Sequence, residues 1–329
     1  MGKTKIFINC IGDSITEGMG VKGHHGSEYG DSPYPARLKT LLVDNGYDNI
    51  EIKNCGHGGE RVAEVCARLG VYPCYFNKDI TIPADNSPAT LGKLIAVDGK
   101  VTNTALSIFD KHKNGEDVLV HFTQASHDTN PCIIEGEEFI LDAGQEETFI
   151  KMANPDGKAH TIKKGLFLYT NNNRAADINI IYAAVNDGAS MTLERFIDSM
   201  KKCSDVNGGK CIIIGSHHPI FERWGDLSGS NAEKYERYKY ACYNAFGIRF
   251  IDLYEEFYKN AMDYTLKAGY FKDKSKAELE KITNLINQKI VPAEFSYDKN
   301  SQGNVHLSEE GYDVIAKIVF QRLKLLNYI

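Results

Sequence analysis

The first strand-like segment ends in a turn that constrains the fold more than any other feature of the chain. Residues 6–11 are apolar except for Asn9 and partly β-branched, as in a buried strand, and Gly12, Asp13 and Ser14 follow them directly. A serine just past a strand end faces the crevice at the carboxyl edge of an open α/β sheet, where such sheets bind ligands. Ser14 is therefore a candidate nucleophile, and the alternative is a loop serine that caps the next helix.

Strand-like and helix-like segments alternate in both outer parts of the chain. This alternation predicts an α/β fold with a parallel sheet and right-handed crossovers. Further strands are predicted at 50–52, 178–184, 211–214 and 249–253. Helices are predicted at 33–42, 60–69, 193–203, 232–246, 274–288 and 307–326.

The middle of the chain has a different pattern. Between residues 71 and 172, short apolar runs are separated by turn signals such as Asp98-Gly99 and Asn114-Gly115. Strands are expected there at 118–122, 132–134, 139–141 and 166–169. We interpret 71–172 as a β-rich inserted module that controls substrate access, and 1–70 with 173–329 as the main domain.

Composition excludes several classes of function. The chain has 329 residues, 42% of them hydrophobic, and a formal net charge of −6, which argues against a nucleic-acid partner. No apolar run approaches the roughly 20 residues of a membrane span. The N-terminal residues lead straight into the first strand and leave no room for a signal peptide, so a cytoplasmic protein is expected unless a leader has been lost. The sequence does not indicate an oligomeric state.

Residues with complementary chemistry follow several of the predicted strands. Ser14, Gly59 and Asn186 each come after a core strand, and His306 opens the last helix. Carboxyl ends of parallel strands share one edge, so these residues are expected to converge. A nucleophilic serine needs a base such as imidazole, and the oxyanion needs donors, which the backbone N–H groups of Ser14 and Gly59 and the amide of Asn186 can supply.

Four sequence blocks in this order resemble those of the SGNH hydrolases, also called the GDSL esterase/lipase superfamily. The blocks are Gly12-Asp13-Ser14, Asn54 with Gly56 and Gly59, Asn186-Asp187, and His306-Leu307. The resemblance implies a flavodoxin-like, three-layer α/β/α fold and no cofactor. It also implies Ser14 as nucleophile, Gly59 and Asn186 as oxyanion donors, and His306 as general base.

Two positions depart from the family pattern. Ala184 stands where the third block has glycine, and the added methyl group is expected to leave Asn186 in place. Gly303 stands where the last block has aspartate, which removes the expected partner of the histidine ring. We expect a backbone carbonyl at or near Gly303 to orient His306, with Asp298 and Glu294 as side-chain alternatives.

Two other motifs suggest different chemistry. Gly18, Gly20 and Gly23 match a dinucleotide fingerprint, but the predicted helix begins only at about residue 33, which favours a substrate-side loop. The His24-His25 and His217-His218 pairs lack the spacing of metal ligands, because adjacent side chains of a strand point to opposite faces. No metal site is therefore expected. His217, His218, His57 and Asp13 are instead predicted to contact substrate.

These features together predict a serine esterase that forms an acyl-enzyme. The polar neighbourhood favours a hydrophilic small-molecule or saccharide ester with a small acyl group such as acetyl. The residues that suggest this are His24, His25, Glu28, Tyr29, His57 and Arg61. The alternative is a catalytically impaired carbohydrate-binding module on the SGNH fold, which the missing aspartate favours.

Overall fold

The computed structural model describes most of the chain and divides it into two compact units. It describes residues 4–21, 33–71, 74–76, 78–90, 94–95, 101–102, 108–111, 117–120, 130–143, 148–170, 176–188 and 191–329. The first unit comprises Met1–Gly58 and Ala176–Ile329, and the second comprises Gly59–Ala175. Residues 59–70, expected in the main domain, belong to the second unit because Ala63 and Ala67 pack in its core. The interpretation of 71–172 as an insertion stays a prediction.

The helices and strands are named in chain order. The helices are α1 (Ser14–Glu17), α2 (Tyr34–Asp44), α3 (Val62–Arg68), α4 (Leu193–Asp205), α5 (Asn231–Phe246), α6 (Leu253–Ala268), α7 (Lys276–Asn287) and α8 (Glu309–Leu325). Short 3-10 turns lie at Val206–Gly209, Ile220–Arg223, Gly247–Arg249 and Ala293–Phe295. The strands are β1 (Ile6–Gly12), β2 (Ile50–Gly56), β3 (Cys74–Tyr75), β4 (Ile80–Ile82), β5 (Ala89–Thr90), β6 (Leu94–Ile95), β7 (Val101–Thr102), β8 (Ile108–Lys111), β9 (Asp117–Val120), β10 (Cys132–Ile134), β11 (Glu137–Ala143), β12 (Thr148–Met152), β13 (His160–Ile162), β14 (Phe167–Leu168), β15 (Ile178–Tyr182), β16 (Cys211–Ile214) and β17 (Phe250–Ile251).

The first unit is built on a parallel sheet with the strand order β2-β1-β15-β16-β17. Counted within this sheet, the order is 2-1-3-4-5, which is the flavodoxin-like arrangement. Gly12 pairs with Gly56 on one side and with Tyr182 on the other, so three strands end at the same level. The predicted flavodoxin-like α/β fold is confirmed.

The strand order also fixes where a crevice opens. From β1 the chain crosses to β2 on one side and later continues on the other side through β15, so the order reverses between β1 and β15. Right-handed crossovers in opposite directions place α2 and α4 on opposite faces of the sheet. Helix α8 packs with α2 and α6, and α4 packs with α5, which gives three layers. The crevice at the carboxyl ends of β1 and β15 is the expected ligand site.

Two glycines of the sequence blocks allow close packing at this edge. A Cβ atom at Gly12 would overlap the carbonyl oxygen of Tyr182 and the hydroxyl of Thr16. A Cβ atom at Gly56 would overlap the backbone of Glu17. Glycine is therefore needed at both strand ends so that the short helix α1 can lie directly against them.

Helix α6 was not among the predicted helices. The segment 249–253 was expected to be a strand, but β17 covers only Phe250–Ile251, and Leu253 already begins α6. The buried side of α6 includes Leu253, Phe257, Ala261 and Thr265, which recur every four residues. This period of four was the sequence signal that could have identified the helix.

The second unit has its own β-rich core. Strands β10, β11, β12 and β5 form an antiparallel sheet, and β13-β4, β14-β3, β6-β7 and β8-β9 form two-stranded pairs. Predicted strands at 132–134 and 139–141 lie in β10 and β11. Arg68 and Glu60 are fully buried near α3, and their 2.7 Å ion pair offsets the cost of burying either charge alone.

Candidate active site

Ser14 is the first residue of α1, one position after the residue that caps this helix. The Asp13 carboxylate accepts a hydrogen bond from the Ile15 N–H at 2.9 Å, and the Gly18 N–H donates to the Ser14 carbonyl at 3.0 Å. The serine therefore lies on a short turn fixed at both ends, with only 4% of its surface exposed. The capping function that could have explained Ser14 belongs to Asp13.

His306 approaches Ser14 from the other end of the sequence. Its Nε2 lies 2.9 Å from the Ser14 Oγ. Its backbone is held where the Tyr297 N–H donates to the His306 carbonyl at 3.2 Å, beside a bridge between Ser296 and Leu307. A neutral imidazole at this distance can accept the hydroxyl proton when the oxygen attacks an electrophile.

Asn186 follows β15 through a turn with unusual backbone geometry. Ala184 has a φ angle of 87°, in the left-handed region, and the Asp187 N–H donates to the Ala184 carbonyl at 3.3 Å. This is the position where the family pattern has glycine, so the departure affects the backbone as well as adding a methyl group. The turn is nevertheless formed, and Asn186 is exposed while Asp187 is buried.

The second block lies partly in each unit. In the first unit, the Asn54 Oδ1 accepts from the Gly56 N–H at 3.0 Å, and the His57 N–H donates to the Gly12 carbonyl at 2.8 Å. The first bond is local to the end of β2, and the second fastens the turn after β2 to the end of β1. Gly59 is the first residue of the second unit and has a φ angle of 82°. Its role as an oxyanion donor stays a prediction.

The residues considered as partners of the His306 ring have other contacts. The Gly303 N–H donates to the Val291 carbonyl at 2.8 Å, with a φ angle of 68° at Gly303. The Asp298 Oδ1 accepts from the Asn300 N–H at 3.0 Å, which closes a local turn. The Glu294 Oε1 lies 3.3 Å from the Lys274 ammonium. Both carboxylates thus have partners within their own surroundings.

The two histidines after β16 differ in exposure. His217 is fully buried, and its Nδ1 lies 3.2 Å from the Tyr182 hydroxyl. His218 is half-buried, and its Nε2 lies 3.1 Å from the Asn304 carbonyl oxygen. Burial lowers the pKa of His217 well below its usual value, with smaller contributions from His218 and His306, while the Val305 carbonyl acts in the opposite direction. Burial also lowers the pKa of His218, while its hydrogen bond to the Asn304 carbonyl acts in the opposite direction.

A groove of about 410 Å³ opens in the first unit beside these residues. It is lined by Val185, Asn186, His218, Pro219, Ile220, Glu222, Arg223 and Val305. Val305 is the residue before His306, so the groove adjoins the segment that carries His306. The Arg223 guanidinium also donates to the Val185 carbonyl at 2.8 Å, which supports the backbone just before Asn186.

Most of the residues predicted to contact substrate do not line this groove. Of the four residues expected to contact substrate, only His218 lines it. Asp13, His57 and His217 have at most 1% of their surface exposed. Asp13 caps α1, the His57 N–H donates to the Gly12 carbonyl, and the His217 ring contacts the Tyr182 hydroxyl. Their burial favours support of the site over direct contact with substrate, and their assignment as substrate contacts stays a prediction.

Some residues with roles at the site were not identified from the sequence. They are Arg223, Tyr182 and Asn304, which lie near the three-strand edge or the His306 segment and belong to no recognised block. The position of Asn304, two residues before His306, was the available signal, since asparagine favours such turns. His24, His25, Glu28 and Tyr29 lie outside the described residues.

The part of the chain that the structure describes contains neither a cluster of metal ligands nor a membrane-spanning helix. No group of three or more His, Cys, Asp or Glu side chains is arranged to hold a metal ion. No helix there combines the length and apolar character needed to cross a membrane.

Proteins with similar structures are found among those already solved. No protein-family model matches the chain, and no curated protein matches it either. Solved structures do align with it over nearly its whole length. One is a lipase/acylhydrolase from Enterococcus faecalis, at 14% identity over 98% of this chain and 96% of that chain, with a TM-score of 0.42.

Two further structures align similarly. The acetylxylan esterase Axe2 from Geobacillus stearothermophilus is 12% identical over 98% of this chain and 95% of its own, with a TM-score of 0.41. A putative GDSL-like lipase from Parabacteroides merdae is 12% identical over 98% and 97%, with a TM-score of 0.42. The fold of this chain is defined by its own strand order and register.

Proposed function

We propose that this protein is a serine esterase of the SGNH type, which transfers an acyl group to Ser14 and then to water. The observation that carries the proposal is the 2.9 Å separation between the His306 Nε2 and the Ser14 Oγ. Serine is a weak nucleophile unless a base takes its proton, and this pair meets that requirement. The sequence blocks that resemble those of SGNH hydrolases support the same assignment.

The proposed reaction has two displacement steps. The Ser14 Oγ attacks the ester carbonyl carbon while the His306 Nε2 takes the hydroxyl proton, giving a tetrahedral intermediate. Its oxyanion is stabilised by the backbone N–H groups of Ser14 and Gly59 and by the Asn186 amide. His306 returns the proton to the leaving alcohol oxygen, and a water molecule, deprotonated by His306, then releases the acid from the acyl-enzyme.

We propose a hydrophilic ester with a small acyl group, such as an acetylated saccharide, as the substrate class. The groove beside Asn186 is lined by four polar side chains, including those of Glu222 and Arg223, and by four apolar side chains. The polar side chains can hydrogen-bond an alcohol portion that carries hydroxyl groups, and the apolar ones can contact a small acyl group.

A fluorophosphonate probe followed by peptide mass spectrometry tests the proposal. The probe is expected to modify Ser14, and Ser14→Ala is expected to abolish both labelling and turnover of p-nitrophenyl acetate. Ser204→Ala is a matched control, because the Ser204 hydroxyl donates within α4 to the Lys201 carbonyl. Labelling of another serine, or unchanged turnover in Ser14→Ala, would contradict the assignment.

The second candidate is a saccharide-binding module that has lost catalysis, and Gly303 at the aspartate position is the feature that favours it. This candidate predicts binding of acetylated xylo-oligosaccharides by calorimetry together with no labelling of Ser14. A panel of p-nitrophenyl esters from acetyl to decanoyl distinguishes the two and also reports the preferred acyl length.

A further inference from the structure

His306 lies on a loop that must be held without the aspartate of the family pattern. We call residues 297–306 the His306 loop. Its base is closed by the Ser296–Leu307 bridge and by the Ser308 N–H, which donates to the Phe295 carbonyl at 2.8 Å. These bonds fix where the loop starts and ends. Other contacts connect the segment just before His306 to the sheet that carries Ser14.

His218 connects that segment to the sheet. Its Nε2 lies 3.1 Å from the carbonyl oxygen of Asn304, and the Asn304 Oδ1 accepts from the His306 N–H at 3.0 Å. A carbonyl oxygen only accepts, so the His218 Nε2 must carry a hydrogen and donate it to the Asn304 carbonyl. Asn304 thus makes two hydrogen bonds. Its backbone carbonyl accepts from the His218 ring, and its side chain accepts from the His306 N–H.

The His218 ring is itself held from the sheet. Its backbone N–H donates to the Ser216 Oγ at 3.0 Å, and its ring packs edge-on against His217 with centroids 4.9 Å apart. The Tyr182 hydroxyl lies 3.2 Å from the His217 Nδ1 and 3.3 Å from the Ser216 Oγ. Tyr182 is the last residue of β15 and pairs in register with Gly12.

These contacts form a closed path around the reacting pair. From Gly12 the path runs through Tyr182 and His217 to His218, then through Asn304 to His306. It returns through the Ser14 hydroxyl, two residues after Gly12. The same strand ends therefore position both the nucleophile and, through His218, the base. A misplacement of about 1 Å between such groups can lower the reaction rate about 100-fold, so contacts along this path are expected to affect that rate.

We infer that His218 is a positioning residue, which holds Asn304 and thereby keeps His306 aligned with Ser14 in a chain that lacks the aspartate at position 303. This inference rests on the proposed esterase function. It also gives the His217-His218 pair a role other than metal binding, with His217 as the packing support of the His218 ring.

The test measures how fast the full-length protein reacts at Ser14 when the His218 donor is removed or replaced. His218→Ala is expected to lower kcat for p-nitrophenyl acetate by about 10- to 100-fold with KM within about twofold of the wild-type value. The rate of fluorophosphonate labelling at Ser14 is expected to fall by a similar factor. His218→Gln keeps a side-chain N–H donor near the Nε2 position and is expected to recover most of both rates.

Two control variants are included. One separates the positioning role of His218 from the loss of side-chain volume, and the other separates it from the general effect of losing a histidine. His218→Leu retains volume in the groove without a donor and is expected to behave like His218→Ala. His160→Ala removes a ring that lies 2.8 Å from the Asp156 carboxylate in the second unit, and it is expected to leave kcat unchanged.

The outcomes identify which idea fails. If the wild-type protein is not labelled at Ser14, the proposed function is wrong. If the wild-type protein is labelled but His218→Ala reacts at the same rate, or His218→Gln is as slow as His218→Ala, the positioning role is wrong. A loss that falls entirely on KM also contradicts it and identifies His218 as a substrate contact in the groove.

Discussion

The Nε2 of His306 lies 2.9 Å from the Oγ of Ser14, although 292 positions separate the two residues in the sequence. A different local structure positions each of the two residues. Asp13 caps the turn that carries Ser14, while the Ser296–Leu307 bridge closes the loop that carries His306. The pair is thus a product of long-range packing between two locally defined segments.

Asn186 is predicted to act on the transition state. The Asn186→Ala variant should lower kcat by about 10²–10³-fold with KM near its starting value, because an oxyanion donor binds the charge that develops during attack. Steady-state kinetics with p-nitrophenyl acetate provide the measurement. Asp226→Ala serves as a control, because the Asp226 carboxylate accepts from the Leu193 N–H at the start of α4. An effect carried by KM alone would show that Asn186 binds ground-state substrate.

Neither nearby carboxylate is predicted to orient the base. The Asp298 carboxylate accepts from the Asn300 N–H, and the Glu294 carboxylate pairs with Lys274. Asp298→Asn and Glu294→Gln should therefore each keep most of kcat, whereas His306→Ala should lose about 10⁴-fold or more, as expected for loss of a general base. If Asp298→Asn loses as much as His306→Ala, a displaced acid of a triad is present after all.

Glycine at position 12 is predicted to be required for stability. A Cβ atom there would overlap the Tyr182 carbonyl oxygen, so Gly12→Ala should lower the free energy of unfolding by about 1–3 kcal/mol. Gly188→Ala is the matched control, because a Cβ atom at Gly188 meets open space and should change stability by about 0.5 kcal/mol or less. Urea denaturation followed by circular dichroism gives both values, and equal effects would contradict the packing explanation.

Acid is predicted to destabilise the protein through His217. Its pKa is lowered well below 6.5 in the folded state, so the unfolded chain binds the proton more readily. Stability should then be fully present above about pH 6.5 and fall as the pH drops below it, by up to about 1.4 kcal/mol per pH unit. Urea unfolding at pH 7.5, 6.5 and 5.5 should show a smaller slope for His217→Asn. An identical slope in that variant would assign the dependence to other groups.

The sequence by itself determined the fold class and identified Ser14 and His306 as the candidate nucleophile and base. The alternation of apolar strand-like segments, glycine turns and helix-like segments predicted the parallel sheet, because parallel strands need helical crossovers between them. The serine and histidine were identifiable because few other residues can supply a nucleophile and a base. These properties are local, so they can be read along the chain.

The tertiary structure alone decided what supports those residues. It placed His217 in the interior and only His218 at the groove, and it set the backbone of Ala184 in the left-handed region. It also brought Asn304 to the His218 ring across the unit. Burial, backbone torsion and contacts between distant segments depend on how the elements pack together. A single residue or a short motif therefore does not specify them.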